Sequence, residues 1–455
     1  MMLTLSEAAA LTGGTLCGNS AVIERVVTDS RNIQPGDLFV ALKGEHFDAH
    51  DFVEQVAHMG AAGAIVNKDY HVGIDSDAAL IRVDDPRLAL GRLAAGWRAR
   101  FTLPLVGITG SNGKTTVKEM LGSILSAHAG ADAVLMTAGN FNNDIGLPLT
   151  LLGLNEEHRF AVIEMGMSNP GEIAYLTRLA QPAAVLVNNA LRAHLGGFES
   201  VEGIARAKAE IFEGLSEQGC AVINLDDDNA ELFAELAAGH RMLRFGLKTG
   251  DVYAATHNLG ADGSTLTIAS PAGNIDVRLQ VPGEHNVRNA LAAASLALAL
   301  EIPPAAIARG LMSFTGVKGR LQKKTAANGA AVIDDTYNAN PDSMKAGLAV
   351  LARLRAPRWF VMGDIGELGE TAPQLHAEVG EAARELGVDV MLTLGDNSRH
   401  AAQAFGPQAR HFDEIEPLLA YLDSALPATA SVLVKGSRFM RMERIVDHLV
   451  GKKGI

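Results

Sequence analysis

Residues 103–116, LPLVGITGSNGKTT, constrain this chain more than any other stretch. The apolar run with Val106 and Ile108 predicts a buried strand. Gly110-Ser111-Asn112-Gly113 is a small, flexible turn, and Lys114-Thr115-Thr116 opens a helical pattern. Strand, glycine-rich loop and helix N-terminus in that order let backbone N–H groups converge on a phosphate, where the helix dipole favours negative charge. In such a loop Lys114 reaches the β- and γ-phosphates and the Thr115 hydroxyl binds Mg²⁺. The strict G-x-x-x-x-G-K-[ST] pattern wants glycine at 108, whereas this chain has Ile108, with glycines at 107 and 110. The stretch reads as a variant phosphate loop, and its competitor is a purely structural turn.

At 455 residues the chain exceeds what one hydrophobic core serves, so two to three domains are expected. Acidic residues number 52 against 39 basic, a formal charge of -13, and no Lys or Arg stripe runs along a predicted helix. Nucleic-acid binding needs a basic footprint and is not expected. Cys17 and Cys220 stand far apart, outside any C-x-x-C spacing, which argues against a disulfide framework or zinc site and fits a reducing compartment. The opening MMLTLSEAAALTGG lacks the charged start and long apolar core of a signal peptide. The longest Ala/Leu run, residues 290–300, falls short of the roughly 20 residues that span a bilayer. A soluble cytoplasmic protein with no membrane insertion is expected.

Along the N-terminal stretch, strand-like VIERVVTDS, GDLFVAL, Ala64-Ile65-Val66 and IRVDD alternate with helical HDFVEQVAHMGA, as in a small α/β unit. From Phe101 the apolar runs 160–163, 183–187 and 220–223 end in polar Glu164, Asn188-Asn189 and Asn224, with helical segments 171–180 and 201–215 between them. That is the βαβ rhythm of a parallel sheet, whose ligands lie outside the carboxyl ends of the strands. Residues 251–281 change to the period-two alternation of STLTIAS and NIDVRLQV, a short antiparallel excursion, before helix resumes at 285–290. Beyond 316–320 come strands at 331–333, 359–362, 390–394 and 431–434, each running into a glycine- or aspartate-rich loop, or Lys435-Gly436-Ser437. They predict an open doubly wound, Rossmann-like domain; no G-x-G-x-x-G follows its first strand, so no dinucleotide is implied. The expected fold class is α/β in three domains: 1–98, a small N-terminal α/β domain; 99–315, a central P-loop domain with a parallel sheet; and 316–455, Rossmann-like.

Several residues in these stretches carry two readings each. Asp29-Ser30-Arg31 is either a cap or turn, the commoner role of such residues, or an anion contact. Glu164 at a strand end is either solvated or a Mg²⁺ carboxylate, since Mg²⁺ takes one or two carboxylates with phosphates and water. By spacing alone His194 in NNALRAHLGGF is a loop histidine, and Lys208 in ARAKAEIF, beside Arg206 and Glu210, is a solvated helix face. Asn286 and Asn289 lie one helical turn apart and can present amides to the edge of a base, with helix capping the rival for Asn286. Arg320 in GVKGRLQ has the planar fork that suits phosphate, although loop arginines usually face solvent. Asp335 ends a strand before Asn338-Ala339-Asn340-Pro341, where Pro341 opens a helix, and either caps that loop or binds a ribose hydroxyl.

Together, TDSRNIQPGDLFVALKGEHFDAHDF, GNFNNDIGLPLTLL, VIEMGMSNPGEI, RAKAEIFEGL, GEHNVRNALAAA, GRLQ, IDDTYNANPDSM, MGDIGELGE and VKGSR resemble the Mur ligases. These are the ATP-dependent amide ligases of peptidoglycan synthesis, to which folylpolyglutamate synthetase is related. The stretches span nearly the whole chain in order, and TGSNGKTT is the form of loop that family uses. Within the family they resemble most the member joining D-alanyl-D-alanine to UDP-N-acetylmuramoyl-tripeptide. The D-N-P-R signature of the member adding the third residue is absent, with N-A-N-P in the third-domain loop. A nucleotide-binding regulator without turnover is the rival of a different class, against which Lys114, Glu164, His194 and Lys208 argue together.

The resemblance implies ATP and two Mg²⁺ ions as cofactors. Gly110, Ser111, Asn112, Gly113, Lys114, Thr115 and Thr116 would hold the ATP phosphates, with Thr115 on the first metal ion. Glu164 would bridge to magnesium, His194 would ligate the second ion, and Lys208 would be carbamylated beside it. Asn286 would contact adenine, Arg320 the γ-phosphate and Asp335 the ribose. Ser30 and Arg31 would touch the uridine end of the substrate, Asn142 and Asn143 its diphosphate or sugar side, and Asn338 and Asn340 the dipeptide. The N-terminal domain would bind the UDP-substrate, the central one ATP and the C-terminal one the dipeptide, in a protein expected to be a monomer. The chain departs from the family's commoner pattern at Leu191 and Arg192, where N-I-A-P-A-H-L-E-G-F is more usual, and at the bulkier Phe439 and Arg441.

Overall fold

The computed structural model describes residues 2–71, 78–192, 198 and 200–451. The chain gathers into two compact units, one of Met1–Gly107, Asp132–Val185 and Glu210–Gly219, the other of Ile108–Ala131, Leu186–Ala209 and Cys220–Ile455. The fold is α/β, as expected. Strands Leu105–Thr109 and Ala184–Val187 each divide between the units.

The first unit carries a five-stranded sheet in the order Thr15–Cys17, Leu80–Val83, Gly63–Asn67, Asp37–Val40, Arg25–Val27. All neighbours are parallel except the antiparallel edge strand Thr15–Cys17. Leu38, Phe39 and Val40 are consecutive and buried, as a strand covered on both faces requires. Helix Pro86–Arg98 begins where the Asp85 carboxylate accepts the N–H groups of Arg87 and Leu88 and Pro86 fills a first-turn position that needs no donor. Its buried face includes Leu90, Leu93 and Trp97, and the Trp97 Nε1 donates to the Leu154 carbonyl at 3.0 Å. A parallel pair, Val134–Met136 and Phe160–Glu164, brings Glu164 to a strand end.

In the second unit, helix Lys114–Ala129 packs against helices Glu284–Ala299 and Pro304–Ser313. The backbones come close at Gly310, where a Cβ would stand 2.3 Å from the Ile124 Cα. Gly310→Ala is therefore expected to cost about 1–3 kcal/mol through overpacking. The urea midpoint should fall with the slope unchanged, and an unmoved midpoint would show that the helices separate freely here.

Strands Cys220–Asn224, Arg241–Gly246, Val252–Leu259, Ser264–Ala269 and Ile275–Leu279 lie side by side in this order. The first three run parallel, and the last two pairings are antiparallel, which is the excursion expected at 251–281.

The C-terminal sheet runs Gln322–Thr325, Ala331–Asp335, Ser431–Lys435, Arg358–Gly363, Val390–Leu394, Ala409–Phe412. It is parallel except at its first edge strand. The four strands expected there form its centre, with apolar side chains packed on both faces. Among the described residues no helix is long and apolar enough to cross a membrane.

Candidate functional site

The phosphate loop leaves a wholly buried strand, Leu105–Thr109, and enters helix Lys114–Ala129 through Gly113, whose φ of 80° is left-handed. A Cβ on Gly113 would stand 2.5 Å from both the Asn188 Nδ2 and the Asn289 Oδ1, so only glycine fits. No side chain caps this helix, leaving its positive end to the loop. The residues after strand Ala184–Val187 brace the loop from beneath. The Ser111 N–H donates to the Asn189 carbonyl at 2.9 Å and the Asn112 N–H to the Asn189 Oδ1 at 2.8 Å. The Asn188 and Asn189 amides both donate to the Asn112 carbonyl. The Ser111 hydroxyl donates to the Leu191 carbonyl and accepts from the Leu191 N–H. The Lys114 Nζ folds back to the Gly110 carbonyl at 2.6 Å.

Lys208, on helix Val201–Ala209, is 2% exposed, which overturns the solvated-face reading. Burial, and then the charge of Lys114, pull its amine well below the usual lysine range. A buried amine held neutral is a nucleophile toward CO₂. Its neighbour Arg206 does lie on the solvated face, paired with Glu202 one turn earlier. Asn286 and Asn289 are buried and share one helix face: the Asn289 Nδ2 reaches the Asn286 Oδ1 at 3.3 Å, and the Asn289 Oδ1 accepts from Asn188. The cap of that helix is Gly283, not Asn286, whose Nδ2 donates back to the Pro282 carbonyl.

Arg320 donates to the Thr115 hydroxyl at 3.0 Å, and its guanidinium lies over the Tyr337 ring, 4.4 Å from the centroid. Its Nε is buried without a hydrogen-bond partner, a donor that an incoming acceptor could satisfy. Asp335 ends strand Ala331–Asp335; its carboxylate takes the Lys435 ammonium at 2.6 Å and the Leu321 N–H at 3.2 Å. The Asn338 side chain accepts from the Ala339 N–H. Asn340 caps helix Pro341–Leu351 through the Ser343 N–H and exchanges both amide hydrogen bonds with Asn112, at 3.2 and 2.8 Å.

In the other unit, Glu164 is 2% exposed, not solvated; its Oε1 accepts from the Asn142 Nδ2 at 2.8 Å. The Asn143 Oδ1 accepts the N–H groups of Ile145 and Gly146 at the turn into helix Gly146–Leu151, whose N-cap residue is Ile145. Ser30 and Arg31 lie in a short 3-10 turn capped by Asp29. The Arg31 side chain and N–H hold that carboxyl at about 2, so the cap reading describes this segment. His194 lies outside the described residues, among which no group of three or more His, Cys, Asp or Glu side chains is placed to hold a metal ion. Residue reasoning assigned no role to Asn188 or Asn189; their signal was a pair of consecutive amides ending a buried strand.

A buried strand feeding a left-handed glycine at a helix start, with a buried lysine whose pKa is lowered and an unpartnered arginine nitrogen in the same unit, defines an α/β P-loop enzyme. The sequence matches the Mur ligase family catalytic domain over residues 22–98, the Mur ligase middle domain over 108–297, and the Mur ligase glutamate ligase domain over 319–438. It is 41% identical over 451 residues to the UDP-N-acetylmuramoyl-tripeptide–D-alanyl-D-alanine ligase of Escherichia coli K12, covering 98% of each chain. To the ligase of the same name from Bacillus subtilis 168 it is 34% identical over 458 residues, again covering 98% of each. Its fold is similar to that of MurF from Acinetobacter baumannii, with a TM-score of 0.91, 40% identity and 98% of each chain covered. The MurF ligase from Thermotoga maritima in complex with ADP superposes with a TM-score of 0.82 at 28% identity, over 94% of this chain and 97% of that one. The chain belongs to the Mur ligase family.

Proposed function

We propose that this enzyme joins D-alanyl-D-alanine to UDP-N-acetylmuramoyl-tripeptide with cleavage of ATP to ADP and phosphate, the last cytoplasmic step in building the peptidoglycan precursor. The observation that carries the reading is the full-length likeness to ligases of that name, 41% identical over 98% of both chains for the Escherichia coli K12 enzyme. The buried Lys208 amine beside Lys114 supports it, since a simple phosphate loop has no need of such a group. Domains 1–98, 99–315 and 316–455 then serve the UDP-substrate, ATP and the dipeptide, in a cytoplasmic monomer.

A carboxylate is a poor acyl donor, so its oxygen first attacks the γ-phosphorus of ATP, the bond to the bridging oxygen breaks, and ADP leaves an acyl phosphate behind. The neutral amine of D-alanyl-D-alanine attacks the carbonyl carbon, the bond to the phosphate oxygen breaks, and nitrogen loses its proton as the amide forms. Lys114, the helix N-terminus and Arg320 hold the γ-phosphate and match the charge that moves with it. Asn286 faces adenine and Asp335 the ribose. Ser30, Arg31, Asn142 and Asn143 meet the UDP-sugar end, and Asn338 and Asn340 the dipeptide. The Thr115 hydroxyl, the buried Glu164 carboxylate and a carbamate on Lys208 are oxygen donors of the kind Mg²⁺ takes, and these residues, with His194, would be the ones to hold it. When bound, the metal neutralises phosphate charge. Purified protein should release phosphate only when ATP, UDP-tripeptide and D-alanyl-D-alanine are all present; release that ignores the dipeptide would contradict the assignment.

A further inference from the structure

Arg192 stands two positions before His194 in the sequence, where the family pattern is more often a small or rigid residue. Its guanidinium spreads between two carboxylates: Nη2 meets the Asp342 Oδ1 at 3.0 Å and Nη1 the Glu378 Oε2 at 3.1 Å. The Arg192 N–H adds a third contact to the Asp342 Oδ2 at 3.3 Å, and Lys345 also reaches Glu378 at 3.3 Å. Asp342 lies in the first turn of helix Pro341–Leu351, and Glu378 lies on helix Ala372–Glu385. The three side chains are each about one-third exposed or less, at 32%, 25% and 28%. They are shielded enough for the pairs to exceed a fully exposed ion pair, and exposed enough to respond to salt.

The residues just before Arg192 are the ones that hold the phosphate loop. Asn188, Asn189 and Leu191 bind Ser111 and Asn112, while Asn112 in turn exchanges two hydrogen bonds with Asn340, two positions before Asp342. Two connections therefore converge on the start of helix Pro341–Leu351: an amide pair from the phosphate loop and a charged fork from the segment that braces it. We propose that Arg192 is a positioning residue that fixes the 338–340 segment, through Asp342 and Glu378, at the distance from the phosphate loop that the incoming dipeptide amine requires. This rests on the ligase reading above. The side-chain contacts of Arg192 are with Asp342 and Glu378, and through them it sets where the dipeptide-binding segment sits when the acyl phosphate forms. A surface ion pair of purely structural worth would leave substrate dependence untouched, whereas a positioning residue changes the dependence on the dipeptide alone.

The test compares wild type, Arg192→Ala, Arg192→Lys and Asp342→Asn in full-length protein, varying D-alanyl-D-alanine at saturating ATP and UDP-tripeptide. Arg192→Ala should raise the dipeptide KM about five- to tenfold, with the ATP KM within about twofold of wild type. Arg192→Lys should recover part of the loss, because a point charge can reach one carboxylate but not fork between two. Added salt should narrow the gap between wild type and Arg192→Ala. Asp342→Asn keeps the shape and removes one charge, so it should raise the dipeptide KM at an unchanged melting temperature even if Arg192→Ala folds poorly. Dipeptide KM values equal to wild type in Arg192→Ala and Asp342→Asn would overturn the proposal, as would equal rises in the ATP and dipeptide KM. A wild-type enzyme that does not ligate the dipeptide would sink the ligase reading itself, a failure seen in the wild-type arm before any variant is compared.

Discussion

Lys208→Met should abolish ligation, by about 10³-fold or more, while the protein still folds and still binds ATP. Methionine keeps the length and apolar stem of the side chain and removes only the amine, so the packing of helix Val201–Ala209 survives. Burial of Lys208, and then the charge of the half-buried Lys114, depress the Lys208 pKa. The proposed carbamate would suit this site: the neutral nitrogen would attack the carbon of CO₂ and lose a proton, and the resulting anion would attract Lys114. Neutral amine is the reactive form, and a depressed pKa makes it available at lower pH than an ordinary lysine allows. Activity should therefore fall on acidification and recover with added bicarbonate. Labelled bicarbonate should leave a carbamate signal in wild type and none in Lys208→Met, and small carboxylates should restore part of the variant's rate. A Lys208→Met enzyme that ligates at the wild-type rate would remove the carbamate from the mechanism.

The strands with unbroken apolar runs were legible in the sequence, and the two edges of the C-terminal sheet were not. Strands 331–335, 358–363, 390–394 and 431–435 lie at the centre of their sheet, so both faces are apolar and the run stands out against its polar ends. Gln322–Thr325 and Ala409–Phe412 lie at the two edges of that sheet, where QKKT and ARHF carry charge in place of pattern, as edges do to deter pairing with other chains. Arg241–Gly246 was missed for a related reason: its first four residues are incompletely buried and two are arginines.

The site divides along the same physical line. The phosphate loop is a local motif, so its residues could be read in order from Leu105 to Thr116. Lys208 could not be placed by residue type, because alternating Ala205, Ala207 and Ala209 around it give no hint that the helix is packed on the lysine's side. The bracing of the loop depends on contacts across wide sequence gaps, 77 residues from Asn112 to Asn189 and 228 to Asn340. No periodicity records such contacts. Family likeness supplied the role of Lys208, but it could not supply Asn188, Asn189 or the Arg192 fork, which only the folded chain brings together.

Arg320→Met should lower kcat about 10²–10³-fold while leaving stability within about 1 kcal/mol of wild type. Arg320 holds an unusual position for a stabilising residue. Its Nη2 serves the Thr115 hydroxyl and its plane stacks on Tyr337, yet its Nε is buried with nothing to donate to. A buried donor without an acceptor costs about 1–3 kcal/mol, which offsets much of what the stacking and the one hydrogen bond contribute. Methionine fills the same volume against Tyr337 and removes the orphaned donor, so the fold should tolerate it. In the proposed mechanism the γ-phosphate would supply the missing acceptor, and the interaction would strengthen as charge builds on the moving phosphoryl group, so the loss should appear in kcat more than in the KM for ATP. Arg320→Lys should recover little, since an ammonium cannot donate in a planar fork to phosphate and hydroxyl together. Parallel urea melts and steady-state rates decide it: a variant that loses stability in proportion to activity would make Arg320 a structural residue, and one that keeps its kcat would remove it from the transfer step.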